Sequence, residues 1–306
     1  MIIGHEKIWE FFSRATDEGL LSHSYILSGP DQVGKKNLAL HVASKLLNIP
    51  VERLFTNPDF YYLTRVEDEK TGKLKQDISI AQTRGLRERL VNSSWLKGYQ
   101  VVIIDEAEKL NEESGNSLLK LLEEPGVKTI FFLITTNDEA VLPTIRSRSQ
   151  LMHFGLVKDD VLGNGLKQLG FSEPQITEVV PLALGRPGKA VELLEDETKL
   201  AELKQQHDLL RSMLNSTLQE NISAVEKMLK DKKEITREKE VVKNIIDSWQ
   251  IIFRGLLLNP AEQNLSKGSW DSRKIIRILK SLQQTRGLLQ TNVQPRLLLE
   301  QIILNF

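Results

Sequence analysis

The run from Ser24 to Lys36, Ser-Tyr-Ile-Leu-Ser-Gly-Pro-Asp-Gln-Val-Gly-Lys-Lys, is an apolar strand that breaks into a glycine-framed turn ending in lysine. That is the layout of a phosphate-binding loop followed by a helix, and it commits the chain to an α/β arrangement. Gly29, Gly34 and Lys35 fit the pattern G-x-x-x-x-G-K-[ST]. Lys36 stands where a Ser or Thr hydroxyl would ligate Mg²⁺. The loop amides could still cradle phosphate, so the spacing predicts a nucleotide-hydrolase fold whose chemistry has been weakened or lost. Glycine pairs before lysine also occur in ordinary turns, and the strand before and helix after are what favour the phosphate reading.

The first half of the chain alternates short apolar runs with helix-like stretches, the pattern of a parallel sheet covered on both faces. Strands are expected at Tyr25 to Ser28, Phe60 to Leu63, Gln100 to Ile104 and Thr129 to Thr135, with a short one near Leu151 to Phe154. Helices are expected over Lys35 to Leu47, Ile78 to Val91 and Glu113 to Glu124, the last stopped by Pro125-Gly126. The stretch from Tyr61 to Lys75 holds Glu67-Asp-Glu-Lys-Thr-Gly72 and reads as a polar turn. Beyond Phe154 the pattern turns helical, over about Asp159 to Leu169, Glu173 to Leu182 and Pro187 to Leu194. Val241 to Leu258 and Arg273 to Ile303 then carry apolar residues at helical spacing over long spans. The composition shifts place domains at 1–155, 156–208 and 209–306.

Some 70 residues past the loop, Val101-Val-Ile-Ile-Asp-Glu106 puts two acids after four apolar residues. In a nucleotide hydrolase the first acid, Asp105, would hold Mg²⁺ through water, and the second, Glu106, would polarise the attacking water. Alone such a run is common; paired with a phosphate loop after another strand it gains weight. Lys plus Arg (41) equals Asp plus Glu (41), so no strong positive field pulls nucleic acid onto the chain, and any DNA contact is expected to be local or shared. Cysteine is absent, which excludes disulfides and thiolate metal sites. No apolar stretch reaches the roughly 18 residues of a membrane span, and charge in Met1 to Glu10 argues against a signal peptide, so a soluble cytoplasmic protein is expected.

A set of segments in order along the whole chain resembles the bacterial clamp-loader subunits of the AAA+ class. These are Gly4-His5, His23 to Pro30, Asn116-Ser-Leu-Leu-Lys-Leu-Leu-Glu-Glu-Pro125, Thr144-Ile-Arg-Ser-Arg-Ser-Gln150, Gly185-Arg-Pro-Gly-Lys-Ala190 and Asn292 to Glu300. The resemblance implies an α/β nucleotide-binding domain, a small helical lid and a helical collar through which five subunits form an open ring. It also implies that Arg148, in Ser147-Arg148-Ser149 where the family has Ser-Arg-Cys, meets the γ-phosphate of ATP held by a neighbour. From local sequence alone, an ion pair with a surface carboxylate is the plainer reading of Arg148.

Two departures from the active ATPases of that family bear on its role. They have Ser or Thr where this chain has Lys36, and an arginine that senses nucleotide where this chain has Gly188. Both losses point to the delta-prime branch, whose members complete a neighbour's site without running their own. Arg186 lies two residues out of register and does not inherit the sensor role. Thr136 and Asn137 hold the position where related enzymes place a residue that contacts γ-phosphate and water; the bland reading is a strand-end turn. The stretch from Asn48 to Phe60 is too short for the zinc module of many relatives and has no cysteine, so no zinc is expected.

The resemblance therefore implies a subunit that needs no cofactor of its own, with ATP or ADP binding without hydrolysis left open at Gly29, Gly34, Lys35, Lys36, Asp105, Glu106 and Thr136. Its expected partners are a gamma/tau-type ATPase and a delta-type subunit in a pentameric ring, with the sliding clamp and primed DNA reached through that complex and no membrane. A self-sufficient ATPase of the same fold is the alternative. A phosphoryl-transferring kinase of the phosphate-loop class fits the long helical C-terminus and the Arg148 motif less well.

Overall fold

A computed structural model describes residues 1–68, 72, 74–92, 98–123, 128–229, 235–258, 271–289 and 293–305. Five parallel strands form one sheet: β1 (Ser24–Ser28), β2 (Phe60–Leu63), β3 (Gln100–Asp105), β4 (Thr129–Thr135) and β5 (Gln150–His153), in the order β2-β3-β4-β1-β5. The helices in chain order are α1 (Glu6–Glu18), α2 (Lys35–Leu47), α3 (Ile80–Asn92), α4 (Glu112–Glu123), α5 (Pro143–Arg146), α6 (Asp159–Gln168), α7 (Glu173–Ala183), α8 (Pro187–Glu195), α9 (Glu197–Leu214), α10 (Leu218–Leu229), α11 (Ile235–Leu258), α12 (Ser272–Leu288) and α13 (Pro295–Ile303). The chain splits into two compact units, Met1–Ile176 with Gly185–Lys189, and Thr177–Leu184 with Ala190–Phe306.

Successive side chains of a strand point to opposite faces, and the apolar runs feed two cores accordingly. Tyr25, Leu27, Val101, Ile103 and Phe132 pack against α1 and α2 through Phe12, Leu38 and Val42. Ile26, Val102, Ile104, Phe131 and Leu133 face the other way, against Leu86 of α3, Leu118 and Leu122 of α4 and Ile145 of α5. Runs such as Val101 to Ile104 are buried on both sides, which is why they lack a polar alternation. Each such side chain contributes about 1.5–3 kcal/mol by leaving water.

The sequence reading locates every strand to within a residue or so. Two stretches differ from it. The helix expected from Ile78 begins at Ile80, because Ile78 is fully buried and bridges to Leu110 instead. The long apolar pattern from Arg273 to Ile303 is two helices, α12 and α13, with Pro295 opening the second at its first turn, where a missing N–H costs nothing. Both helices bury residues in one core, which holds Ile278 and Leu282 of α12, Leu299 and Ile302 of α13, and Trp249 and Phe253 of α11. The expected division at 208 falls inside α9, whose Leu210 and Met213 belong to that same core.

The turn after β1 depends on glycine for a steric reason. Gly29 has φ +151°, and a Cβ there would lie 2.1 Å from the backbone oxygen of Phe154, just past β5. Phe154 in turn donates its N–H to Ser28 O at 2.7 Å, so the two segments are held at that separation. Gly29→Ala is expected to destabilise the first unit by about 1–3 kcal/mol through backbone strain and this clash. Urea unfolding followed by a probe in that unit, with the second unit's transition as an internal reference, measures the shift.

Candidate functional site: a phosphate loop closed by its own side chains

All the polar residues picked out by the sequence around the loop converge at the C-terminal ends of the strands, where an open parallel sheet offers its crevice. Gly34, at φ +107°, ends the loop and begins α2. Lys35 does not project outward. Its Nζ donates to the carbonyls of Gly29 and Pro30, each at 2.6 Å, and the side chain is buried. Burial holds its pKa below that of an ordinary lysine, against the raising pull of Asp31, Glu108 and Asp105. Arg186 lies close enough for its charge to lower that pKa further. The residue out of register for a sensor arginine is thus near the loop lysine all the same.

Two further loop carbonyls are also engaged. Gln32 O accepts from Gly188 N at 2.8 Å, at the start of α8. A Cβ on Gly188 would come within 3.0 Å of that oxygen, so an arginine at this position would crowd the loop. His5 closes the far side: its Nε2 donates to Val33 O at 3.2 Å and its ring rests on Phe154, 4.7 Å between centroids. Partial burial lowers the pKa of His5, against the raising pull of its hydrogen bond to Val33.

The two acids after β3 meet in-chain cations. Asp105 Oδ2 accepts the Tyr62 hydroxyl at 2.5 Å and lies 3.8 Å from Lys36 Nζ, which also sits 4.5 Å above the Tyr62 ring. Asp105 Oδ1 accepts the N–H of Glu106 at 3.2 Å. Burial, then the hydrogen bond to Asp105, push the Tyr62 phenol far above its usual pKa, so it stays a donor. Glu106, held at φ +61°, is gripped on both oxygens by Arg65: Nε to Oε2 at 2.7 Å and Nη2 to Oε1 at 2.5 Å. Thr136 is exposed and donates to Glu108 Oε1 at 3.1 Å.

These residues do not fit a hydrated Mg²⁺. Such an ion needs free oxygen ligands and tolerates no cation among them. Here Lys36 brings an ammonium to the metal position and Asp105 and Glu106 are already paired. The exposed Lys36–Asp105 contact is worth at most about 1 kcal/mol. The bidentate Arg65–Glu106 pair, with hydrogen bonds to charged groups of about 1.5–3 kcal/mol, is the stronger lock.

Tyr62 and Arg65 escaped the sequence reading, in which 61–75 was only a polar turn. That turn exists in part, with a bridge between Glu67 and Leu74 and Gly72 N donating to Asp68 O at 2.8 Å, and Arg65 stands at its base. The signal lay in register. Leu63 pairs with Ile104, so counting two residues on along each strand puts Arg65 beside Glu106. Arg148 stands apart from these groups, just after α5. Its Nη1 donates to Thr144 O at 3.0 Å and Nη2 pairs with Glu123 at the end of α4. The surface-carboxylate reading of Arg148 therefore describes its contact within the isolated chain.

A family described as DNA polymerase III, delta subunit, matches residues 4–158. The DNA polymerase III subunit delta' of Haemophilus influenzae is 28% identical over 203 residues, 62% of this chain and 60% of that protein. That of Pseudomonas aeruginosa is 35% identical over 141 residues, 42% of this chain and 41% of that protein. The chain therefore spans about 40–60% of the length of these relatives. A DNA polymerase III gamma subunit-related protein of Thermotoga maritima shares the fold, with a TM-score of 0.51 at 18% identity over 97% of each chain. Residues 4–158 contain the whole sheet, the loop, both acids and Arg148, and they make up 155 of the 306 residues. On that match the chain belongs to the DNA polymerase III delta-subunit family.

Proposed function

We propose that this chain is a delta-prime-type subunit of a DNA polymerase III clamp loader, which joins ATPase subunits in a five-membered ring and helps place the sliding clamp on primed DNA without hydrolysing ATP itself. The observation that carries this reading is the pairing of Lys36 with Asp105 and of Arg65 with Glu106, which occupies both acids that hydrolysis would need. In this role the loop and sheet are a scaffold, and Arg148 acts on nucleotide held next door. Support for a collar over 209–306 comes from apolar side chains left exposed there, among them Leu218, Ile276, Leu297 and Leu304. ATP or ADP could enter only by displacing Lys35 from the loop carbonyls, and no zinc enters the proposal.

The rival reading, a self-sufficient ATPase, makes a distinct forecast about repair of the loop. The isolated chain should turn over ATP far below the roughly 1 s⁻¹ at the slow end of typical enzymes. Lys36→Thr, which restores the metal-ligand hydroxyl, should leave turnover equally low, because Arg65 still holds Glu106 and Gly188 still supplies no arginine. Robust steady-state hydrolysis by the wild-type chain, abolished by Lys35→Ala, would overturn the proposal.

Arg148 is expected to exchange Glu123 for the γ-phosphate of a neighbour's ATP, since a planar, permanently charged fork suits either anion. Arg148→Ala and Arg148→Lys should both lower clamp- and DNA-stimulated ATP hydrolysis in the reconstituted complex at unchanged assembly. An arginine finger is worth roughly 10³ or more at its own site, but other sites keep theirs, so total turnover should fall only in part and clamp loading should fall further. Equal loading and hydrolysis in wild-type and variant complexes would remove Arg148 from the mechanism.

A further inference from the structure

The chain as a whole is electrically balanced, yet α12 is not. Its 17 residues include Arg273, Lys274, Arg277, Lys280 and Arg286 and no Asp or Glu. Ile275, Ile278 and Leu282 are buried along one side of the helix. Lys274 is half-buried, and Arg286 pairs with Asp247 at 3.3 Å. The other three cations, Arg273, Arg277 and Lys280, are exposed. They follow one another at i, i+4 and i+7, a straight stripe about 10 Å long on the side opposite the buried residues. No carboxylate forms an ion pair with them among the described residues.

Like charges at i, i+4 destabilise a helix by a few tenths of a kcal/mol per pair, and solvated helices usually offset this with interleaved acids. Helix α9 does so, with Glu197, Glu202 and Asp208 among Lys199, Lys204 and Arg211. Among the described residues no acid offsets the repulsion on α12, which points to an anion outside the chain. We propose that the outer face of α12 binds the phosphate backbone of duplex DNA. B-form DNA carries one charge per roughly 1.7 Å of axis, dense enough to meet three cations over this length. The exposed residues beside the stripe are Ile276, Gln283 and Gln284. Among the described residues no aromatic ring lies on this face to serve as a platform for the unstacked bases of a single strand. The contact is therefore to phosphates and carries no sequence preference.

The inference names a DNA-facing surface for the proposed clamp-loader subunit, but it can be tested on the full chain alone, with no ring and no ATP, so it fails or survives separately from that reading. The measurement is fluorescence anisotropy of a labelled blunt duplex across a salt series. The wild-type chain is compared with the triple variant Arg273→Gln, Arg277→Gln, Lys280→Gln. Three phosphate contacts contribute about −2.7 to the slope of log affinity against log salt. Between about 50 and 200 mM salt, wild-type affinity should thus fall roughly 40-fold further than that of the variant. The Arg273→Lys, Arg277→Lys double variant should keep the wild-type slope, because a lysine point charge serves a phosphate as well. Matching urea midpoints, expected for exposed positions, make the comparison one of binding. Equal slopes and affinities for wild-type and triple variant would overturn the proposal. So would tighter, stripe-dependent binding to a single strand than to the duplex. Loss of assembly with partner subunits alongside unchanged DNA binding would instead make the stripe a protein interface.

Discussion

The parallel register between β2 and β3 decides what the acids at the end of β3 can do. With Leu63 opposite Ile104, the next residues out along β2 bring Arg65 to Glu106, while Tyr62 reaches diagonally to Asp105. A slip of one residue would turn Tyr62 to the other face of the sheet and take its hydroxyl from Asp105. That register is held by the end of the run, because a slip would draw the partly exposed Asp105 carboxylate into positions that Val101 to Ile104 fill without solvent. The same apolar packing that makes the sheet therefore sets the electrostatics at its edge.

This coupling also explains which parts of the molecule could be read from sequence. Strand positions follow from short apolar runs bounded by turns, and the loop, Lys36 and both acids are recognisable from local spacing alone. Arg65 is not, because its role exists only once β2 and β3 are known to be neighbours, and nothing local in the segment 61–75 says so. Gly188 was legible as a missing arginine, but its close approach to Gln32 O required the fold. In the second unit the limit was different. Apolar periodicity reports which side of a helix faces a core, and where α12 and α13 both feed one core it does not by itself say where one helix ends and the next begins. Pro295 was the sign of the break, since it sits most easily in the first turn of a new helix.

The charges of this chain are arranged locally in two contrasting ways. Around the phosphate loop cations meet an anion or a carbonyl of the same chain: Lys35 on Gly29 and Pro30, Lys36 on Asp105, Arg65 on Glu106. Along α12 three exposed cations have no ion-pair partner among the described residues. Net neutrality conceals both patterns, which is why the overall balance of 41 against 41 says little about either surface.

A phosphate loop that relies on a bound anion leaves its amides and its lysine unsatisfied until that anion arrives, and its stability then tracks ligand concentration. Here the lysine ammonium caps two carbonyls of its own turn, Gly188 bonds a third, and His5 a fourth. The partners of these four carbonyls are supplied entirely by the polypeptide. They are therefore satisfied as soon as the N-terminal segment and the start of α8 are both in place, with no ligand needed for them.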